Sequence, residues 1–202
     1  MIKEVGDWLV NNFYDKEIVI FDVGAADLED SIEYKKLLPK AKIYAFECND
    51  DWLQNNISKA LEHGIIYNHC AVSDITGHLD FYPSKTLYGK YWPLSGSLCR
   101  PHEGSRFEWK ETVKVPTITL NDYCRNYNVH PTFIHMDIQG AEVRAMSQIG
   151  NYKPKAIVAE ICEFQTDYDT GTNYYEWLTL MKNLGYDEHI RFNWDGLYVL
   201  RD

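Results

Sequence analysis

Ile18-Val19-Ile20-Phe21-Asp22-Val23-Gly24 is a short apolar run that ends in a carboxylate and a glycine. Four similar apolar runs follow along the chain, and three of them also end in a carboxylate, at Glu47, Asp137 and Glu160. Continuous apolar runs of this length are typical of strands buried on both faces of a parallel sheet. The four later runs are residues 42–46, 65–72, 132–136 and 156–159.

Amphipathic segments separate these runs and predict helices over residues 28–38, 50–62, 141–149 and 173–184, with a further helix over residues 1–14. Gly185 follows the last of them as a candidate helix C-cap. Strands that alternate with helices indicate βαβ units with right-handed crossovers. The pattern therefore predicts an α/β fold, with a doubly wound, mostly parallel sheet flanked by helices, in a single domain over residues 1–202.

One long insertion, residues 76–115, interrupts this alternation. Residues 78–82 and 112–115 alternate like half-buried strands, while residues 83–110 are rich in Gly, Pro, Ser and aromatic side chains and are expected to be irregular. Long irregular insertions in compact domains are usually functional or disordered, and the aromatic content argues against disorder. The segment either covers the sheet edge or forms a substrate lid, and Tyr91 and Trp92 are its candidate acceptor-binding residues.

Composition excludes several classes of function. The chain has 202 residues, 30 acidic and 20 basic, and its formal charge of −10 argues against nucleic acid and anionic lipid surfaces as partners. No apolar run is long enough for membrane insertion, and charges interrupt the N-terminal apolar stretch, which is unlike a signal peptide. Five cysteines with no CxxC spacing predict reduced thiols and a cytoplasmic location. No oligomeric state is indicated.

The turn after the first run suggests the ligand. Only Gly24 matches a G-x-G-x-x-G dinucleotide fingerprint, because Ala26 and Glu29 stand where the other glycines belong. Acids around this turn would repel a pyrophosphate, which disfavours a nicotinamide dehydrogenase. Glu47 ends the next strand, where a carboxylate can accept both hydroxyls of a ribose. A ribose-bearing cation without phosphate, such as S-adenosylmethionine, suits this arrangement.

Five motifs in order give the chain a family resemblance. They are FDVGA at 21–25, AFE at 45–47, AVSD at 71–74, VPTITLNDY at 115–123 and HMDIQGAE at 135–142. Together they resemble the successive motifs of FkbM-type methyltransferases over residues 15–165. The resemblance implies a class I, Rossmann-like fold and transfer of a methyl group from S-adenosylmethionine to a hydroxyl of a sugar or glycan. The alternatives are a catalytically silent binding module of the same fold and a methyltransferase of a non-sugar small molecule.

The resemblance also implies where the cofactor binds. The candidate cofactor-binding residues are Asp22, Gly24, Ala25, Glu47, Cys48, Ala71, Val72, Ser73 and Asp137. The chain departs from the family at Ala26-Asp27-Leu28, where Asn and a second Gly are usual. It departs again at Gln139, where the family has Glu in the sequence D-V-E-G.

Asp137 is the first candidate for the general base, since it ends a central strand at the expected crevice. His102 and Glu160 are the next candidates, and Ser97 in the insertion is a candidate acceptor-binding residue. Asp137 and Glu160 together could hold a divalent cation, but a reaction that needs no metal is favoured.

Strand alternation places His135 on the same side as Asp137, where it is either a proton partner or a buried structural residue. Glu142 is either catalytic or a stabilising charge in the first turn of a helix.

Overall fold

A computed structural model describes residues 2–161, 167–169 and 171–201. Its centre is a seven-stranded sheet with the strand order β12-β13-β11-β10-β1-β2-β3. The strands of this sheet are β1 (Val19–Val23), β2 (Lys42–Phe46), β3 (Ile66–Asn68), β10 (Phe133–Met136), β11 (Ala156–Glu160), β12 (Tyr186–Phe192) and β13 (Asp195–Leu200). All pairs are parallel except those made by β13, which runs antiparallel to both neighbours. The predicted doubly wound, mostly parallel sheet is confirmed.

Helices pack on both faces of this sheet because its central strands are apolar on both sides. Ile20 packs in one buried cluster with Leu9 and Tyr34, while its neighbour Phe21 packs in the other with Tyr123 and Trp177. The helices are α1 (Lys3–Phe13), α2 (Glu29–Leu37), α3 (Asp50–His63), α4 (Leu120–Tyr127), α5 (Glu142–Ser147) and α6 (Tyr174–Leu184). The five predicted helices are confirmed, although α5 is shorter than expected.

The order of the strands creates a switch point between β1 and β10. From β1 the chain winds outward through β2 to β3, and from β10 it winds the other way to β11. In open α/β sheets, ligands bind outside the carboxyl ends of the strands at this point. The residues that follow β1 and β10 are therefore adjacent at one edge of the sheet.

The insertion is more regular than the sequence indicates. A three-stranded sheet forms from β4 (Ala71–Val72), β9 (Val113–Ile118) and β5 (Gly77–Phe81). A second forms from β7 (Lys90–Tyr91), β6 (Ser84–Leu87) and β8 (Phe107–Trp109), followed after β7 by a 3₁₀ turn at Pro93–Ser95. The expectation of an irregular segment was wrong because the strands of this second sheet are two to four residues long, which is too short to show alternation.

Outside the insertion, one helix and one hairpin were not predicted. Helix α4 begins after Thr119, whose side chain accepts a hydrogen bond from the backbone of Asp122, so a capping signal was present in the sequence. The β12–β13 hairpin reverses at Asn193 and Trp194, with Asn193 in the left-handed region at φ 51°. Its first strand, β12, is mostly polar and lies at the sheet edge, so it lacks the continuous apolar run of the buried strands. No helix among the described residues is long and apolar enough to cross a bilayer.

Candidate active site

Gly24 brings the carboxyl ends of β1 and β10 into direct contact. Its φ is +85°, and a Cβ atom added there would lie 1.8 Å from the backbone carbonyl oxygen of Asp137. The backbone amides of Gly24 and Ala25 both donate to the carbonyl of Phe46, which fixes the turn against β2. The space beside Gly24 is thus filled by protein backbone. Gly24 itself lines the cavity described below, as do its neighbours Ala25 and Ala26.

A cavity of about 280 Å³ opens at this edge of the sheet. Its walls come from the carboxyl ends of β1, β2 and β10, from β4, and from the insertion. Six of the lining residues are acidic and none is Lys or Arg. The acidic residues are Asp22, Asp27, Glu29, Asp30, Glu47 and Asp137. The carboxylates of the cavity would repel a ligand that carries phosphate groups.

Glu47 is held in place by two backbone amides. Its Oε2 accepts a hydrogen bond from Ala26 at 2.9 Å, and its Oε1 accepts one from Asn49 at 2.7 Å. Burial raises the pKa of Glu47 to about 7, against the effect of these hydrogen bonds. A carboxylate has about four acceptor positions, so the two oxygens can still accept hydrogen bonds from a ligand in the cavity.

Asp22, which is buried, and His135, which is half-buried, form a hydrogen-bonded pair in the wall of the cavity. They are register partners in β1 and β10, and the Nδ1 of His135 lies 2.9 Å from an Asp22 oxygen. The other oxygen of Asp22 accepts a 2.5 Å hydrogen bond from Ser31. Burial disfavours the charged imidazolium, but Asp22 and then Asp30 outweigh it and raise the pKa of His135. Both His135 and Asp137 line the cavity, as strand alternation predicts.

Asp137 is linked to Glu160 through the side chain of Gln139. The Nε2 of Gln139 donates to Asp137 at 2.6 Å and to Glu160 at 3.0 Å. Burial and then the charge of Glu160 raise the pKa of Asp137 well above its usual range, while the hydrogen bond from Gln139 lowers it. The amide of Gln139 thus contacts the pair of carboxylates that the sequence suggested for a cation. No cluster of three or more metal-ligating side chains with suitable geometry occurs among the described residues.

Glu142 organises the loop that carries Gln139. One of its oxygens accepts hydrogen bonds from the backbone amides of Ile138 and Gly140, at 3.2 and 3.0 Å. Its other oxygen is buried without a hydrogen-bond partner among the described residues, and burial raises the pKa of the carboxyl to about 7. Glu142 is absent from the cavity lining, so its contacts are those of a loop-stabilising residue.

Of the other candidate cofactor-binding residues, Ala25, Cys48, Ala71 and Val72 line the cavity, whereas Ser73 does not. Ser73 is buried, and its hydroxyl donates to the neighbouring Asp74. The cavity wall also includes Trp52 and Cys70, which the sequence did not single out. Cys48, Cys70, Cys99 and Cys124 form no disulfide among the described residues, and Cys162 lies outside them.

The insertion closes the opposite side of the cavity through Phe81 and residues 93–98. Ser97 lines the cavity, but its hydroxyl is committed to the backbone carbonyl of Gln139 at 2.8 Å. Tyr91, Trp92 and His102 are exposed and are not among the lining residues. The ring N–H of Trp92 donates to Ser95, so Trp92 supports the 3₁₀ turn that borders the cavity.

Comparison with known proteins places the chain in a family. Residues 22–188 match the model of the methyltransferase FkbM domain. The chain belongs to the FkbM methyltransferase family. A curated relative, the 2-O-methyltransferase NoeI of Sinorhizobium fredii, is 31% identical over 138 residues, which are 61% of this chain and 54% of that protein. This FkbM chain therefore spans about half the length of the curated relative it matches.

Solved structures show that the fold is that of class I methyltransferases. The FkbM methyltransferase of Methylobacillus flagellatus aligns with a TM-score of 0.55 at 17% identity, over 91% of this chain and 43% of that one. The precorrin-6y C5,15-methyltransferase of Geobacter metallireducens aligns with the same TM-score at 11% identity, over 98% of this chain and 88% of that one. At these identities the likeness concerns the fold alone.

Proposed function

We propose that this chain transfers a methyl group from S-adenosylmethionine to a hydroxyl of a sugar or glycan. The observation that carries the proposal is the acid-lined cavity at the switch point of the sheet, with Glu47 on one side and Asp137 on the other. Family membership supplies the reaction class. When bound, S-adenosylmethionine supplies a methyl group made electrophilic by its sulfonium sulfur.

The residues present fit this cofactor. Its ribose hydroxyls would donate to Glu47, whose two oxygens are already oriented by Ala26 and Asn49. Its adenine would lie near Cys48, Ala71 and Val72. Its positive charges suit a lining that has six carboxylates and no Lys or Arg.

Asp137 is the proposed general base. A sugar hydroxyl is a weak acid, so its oxygen becomes an effective nucleophile only as its proton is removed. Asp137 lines the cavity, and its raised pKa makes it a stronger base than an ordinary carboxylate. It would accept the hydroxyl proton on a carboxylate oxygen as the oxygen–methyl bond forms. Glu160 would act on Asp137 through its charge, and the reaction as proposed requires no metal.

The acceptor class rests on separate support. The curated relative NoeI is a 2-O-methyltransferase, so the acceptor atom in that protein is an oxygen. Exposed aromatic side chains on the insertion, Tyr91 and Trp92, suit the apolar faces of sugar rings. We place the acceptor between the insertion and Asp137.

The test is methyl transfer from isotope-labelled S-adenosylmethionine to a panel of saccharides, followed by mass spectrometry. Asp137→Asn should lower kcat by roughly 10²–10⁴-fold, the usual contribution of a general base. Affinity for S-adenosylmethionine should stay near normal. Asp7→Asn, on the exposed face of α1, is the matched control and should leave kcat unchanged. Wild-type turnover by Asp137→Asn would show that Asp137 is not the base, and a protein that binds the cofactor but labels no acceptor would support the silent binding module.

A further inference from the structure

Gln139 joins three separate segments at the edge of the cavity. Its side-chain nitrogen donates to Asp137 and Glu160, its backbone carbonyl accepts from Ser97 of the insertion, and its Oε1 lies 3.4 Å from the Tyr168 hydroxyl. Tyr168 in turn donates to the backbone of Ser95 at 2.9 Å. Gln139 also has a left-handed φ of 53°, a conformation that the surrounding contacts must hold in place.

The chemistry of this contact suits an amide. One side-chain nitrogen that carries two N–H groups can donate to both carboxylates and adds no negative charge beside them. A glutamate in this position would bring a third carboxylate within hydrogen-bond distance of Asp137 and Glu160. One of the three would then have to hold a proton.

We propose that Gln139 is the positioning residue for the base: its amide orients Asp137 beside Glu160, and its backbone ties that arrangement to the insertion. The inference rests on the proposed function and goes beyond it, because it assigns a role to a residue that would not itself exchange a proton with the acceptor. The negative charge of Glu160 makes Asp137 more basic, and the hydrogen bond that Gln139 donates to Asp137 limits that effect.

Other titratable groups also face Asp137. They are His135 on β10, Glu142 on α5, Glu160 on β11 and Tyr168, while Asp195 on β13 faces Glu160 and His135. Gln139 differs from all of these because it is neutral and contacts both Asp137 and Glu160. A change of its side chain should therefore move the titration of Asp137 without removing any existing charge.

The experiment compares the pH dependence of kcat in four proteins: the wild type and three variants. Gln139→Glu should move the acidic limb of the profile to higher pH by about one pH unit or more, because a like charge disfavours ionisation. On that limb, a displacement by one pH unit should lower kcat about tenfold, since less of the base is ionised. Glu160→Gln should move the same limb to lower pH. Gln148→Glu adds the same charge at an exposed position after α5 and should leave the profile unchanged.

The affinity for S-adenosylmethionine, measured by calorimetry, separates this inference from the proposed function. Preserved affinity in Gln139→Glu together with a displaced kcat profile supports the positioning role. An unchanged profile in Gln139→Glu would overturn it, even if the wild type is active. A Gln139→Glu protein that does not fold leaves a further variant, Gln139→Met, to decide, because loss of the amide donor removes the hydrogen bond that lowers the pKa of Asp137 and should also move the profile to higher pH. Absence of turnover in the wild type would instead contradict the proposed function.

Discussion

Glu47 combines two properties that a ribose-binding carboxylate needs. Backbone amides fix both of its oxygens, which reduces the entropy lost when a ligand binds. Burial also raises its pKa to about 7, so its charge varies near neutral pH. Ligand hydroxyls and a nearby sulfonium would both favour the ionised form. Cofactor binding should therefore depend on pH in a way that is specific to Glu47.

Replacement of Glu47 tests this directly. In the wild type, affinity for S-adenosylmethionine should weaken as pH falls from 8 to 6, because below about pH 7 the ligand must displace a proton from Glu47. Glu47→Gln should lower the affinity at pH 8 by roughly 1–3 kcal/mol and flatten the dependence. Glu62→Gln, exposed on α3, is the control. Equal pH dependence in wild type and Glu47→Gln, measured by calorimetry, would place the titrating group elsewhere.

At the residue scale, the sequence predicted which acidic residues lie at the site, but not the hydrogen bonds that join them. Asp22, Glu47, Asp137 and Glu160 were predicted because parallel strands align their carboxyl ends. The bridge formed by Gln139 was not, because it depends on a left-handed backbone and on a contact with Glu160 that is distant in sequence. The role of Gly24 was only half predicted, since a turn glycine is visible in the sequence but its contact with Asp137 is not.

At the scale of elements, the contact between the β1 and β10 turns is a structural requirement of the site. Gly24→Ala would place a methyl group against the Asp137 carbonyl, and the free energy of unfolding should fall by more than about 3 kcal/mol. Gly64→Ala is the matched control: its φ is also positive, but nothing lies within 4 Å, so about 1 kcal/mol is expected. Chemical denaturation measures both. Equal losses would mean that the two turns do not pack as described.

The insertion should affect the acceptor more than the cofactor. Tyr91 is 66% exposed on β7, where its ring can pack against a sugar, so Tyr91→Ala should raise the acceptor KM severalfold. Because Tyr91 does not line the cavity, the affinity for the cofactor should change little. Tyr14 is 65% exposed at the end of α1, and Tyr14→Ala is the control. Steady-state kinetics with an identified acceptor provide the measurement. An unchanged KM would make Tyr91 a surface residue without a role in binding.

The hydrophobic pattern of the sequence predicted the type of an element correctly where that element was buried and long. The five parallel strands were predicted from their apolar runs, and α6 from its spacing and from Gly185, which has a φ of 96° at the C-cap. The strands β6, β7 and β8 were missed because each is stabilised by its neighbours rather than by its own pattern. The β12–β13 hairpin was missed because β12 lies at the edge of the sheet.

At the scale of the whole molecule, strand order and charge act together. The order of the sheet brings residues from positions 22, 47 and 137 to one cavity, although they are far apart in sequence. The chain carries a net charge of −10, and the cavity has the same sign. Both features favour a cationic ligand and disfavour a dinucleotide, whose two phosphates would be placed against carboxylates.

The most direct measurement is a calorimetric titration of the wild-type protein with S-adenosylmethionine and, separately, with NAD. We expect saturable one-to-one binding of S-adenosylmethionine and an affinity for NAD that is at least tenfold lower. A tenfold difference in affinity corresponds to about 1.4 kcal/mol, which the repulsion between the phosphates and the carboxylates of the cavity would supply. Binding of S-adenosylmethionine should also weaken with added salt, as attraction between opposite charges is screened. Binding of NAD with equal or greater affinity, or no binding of S-adenosylmethionine, would contradict the account.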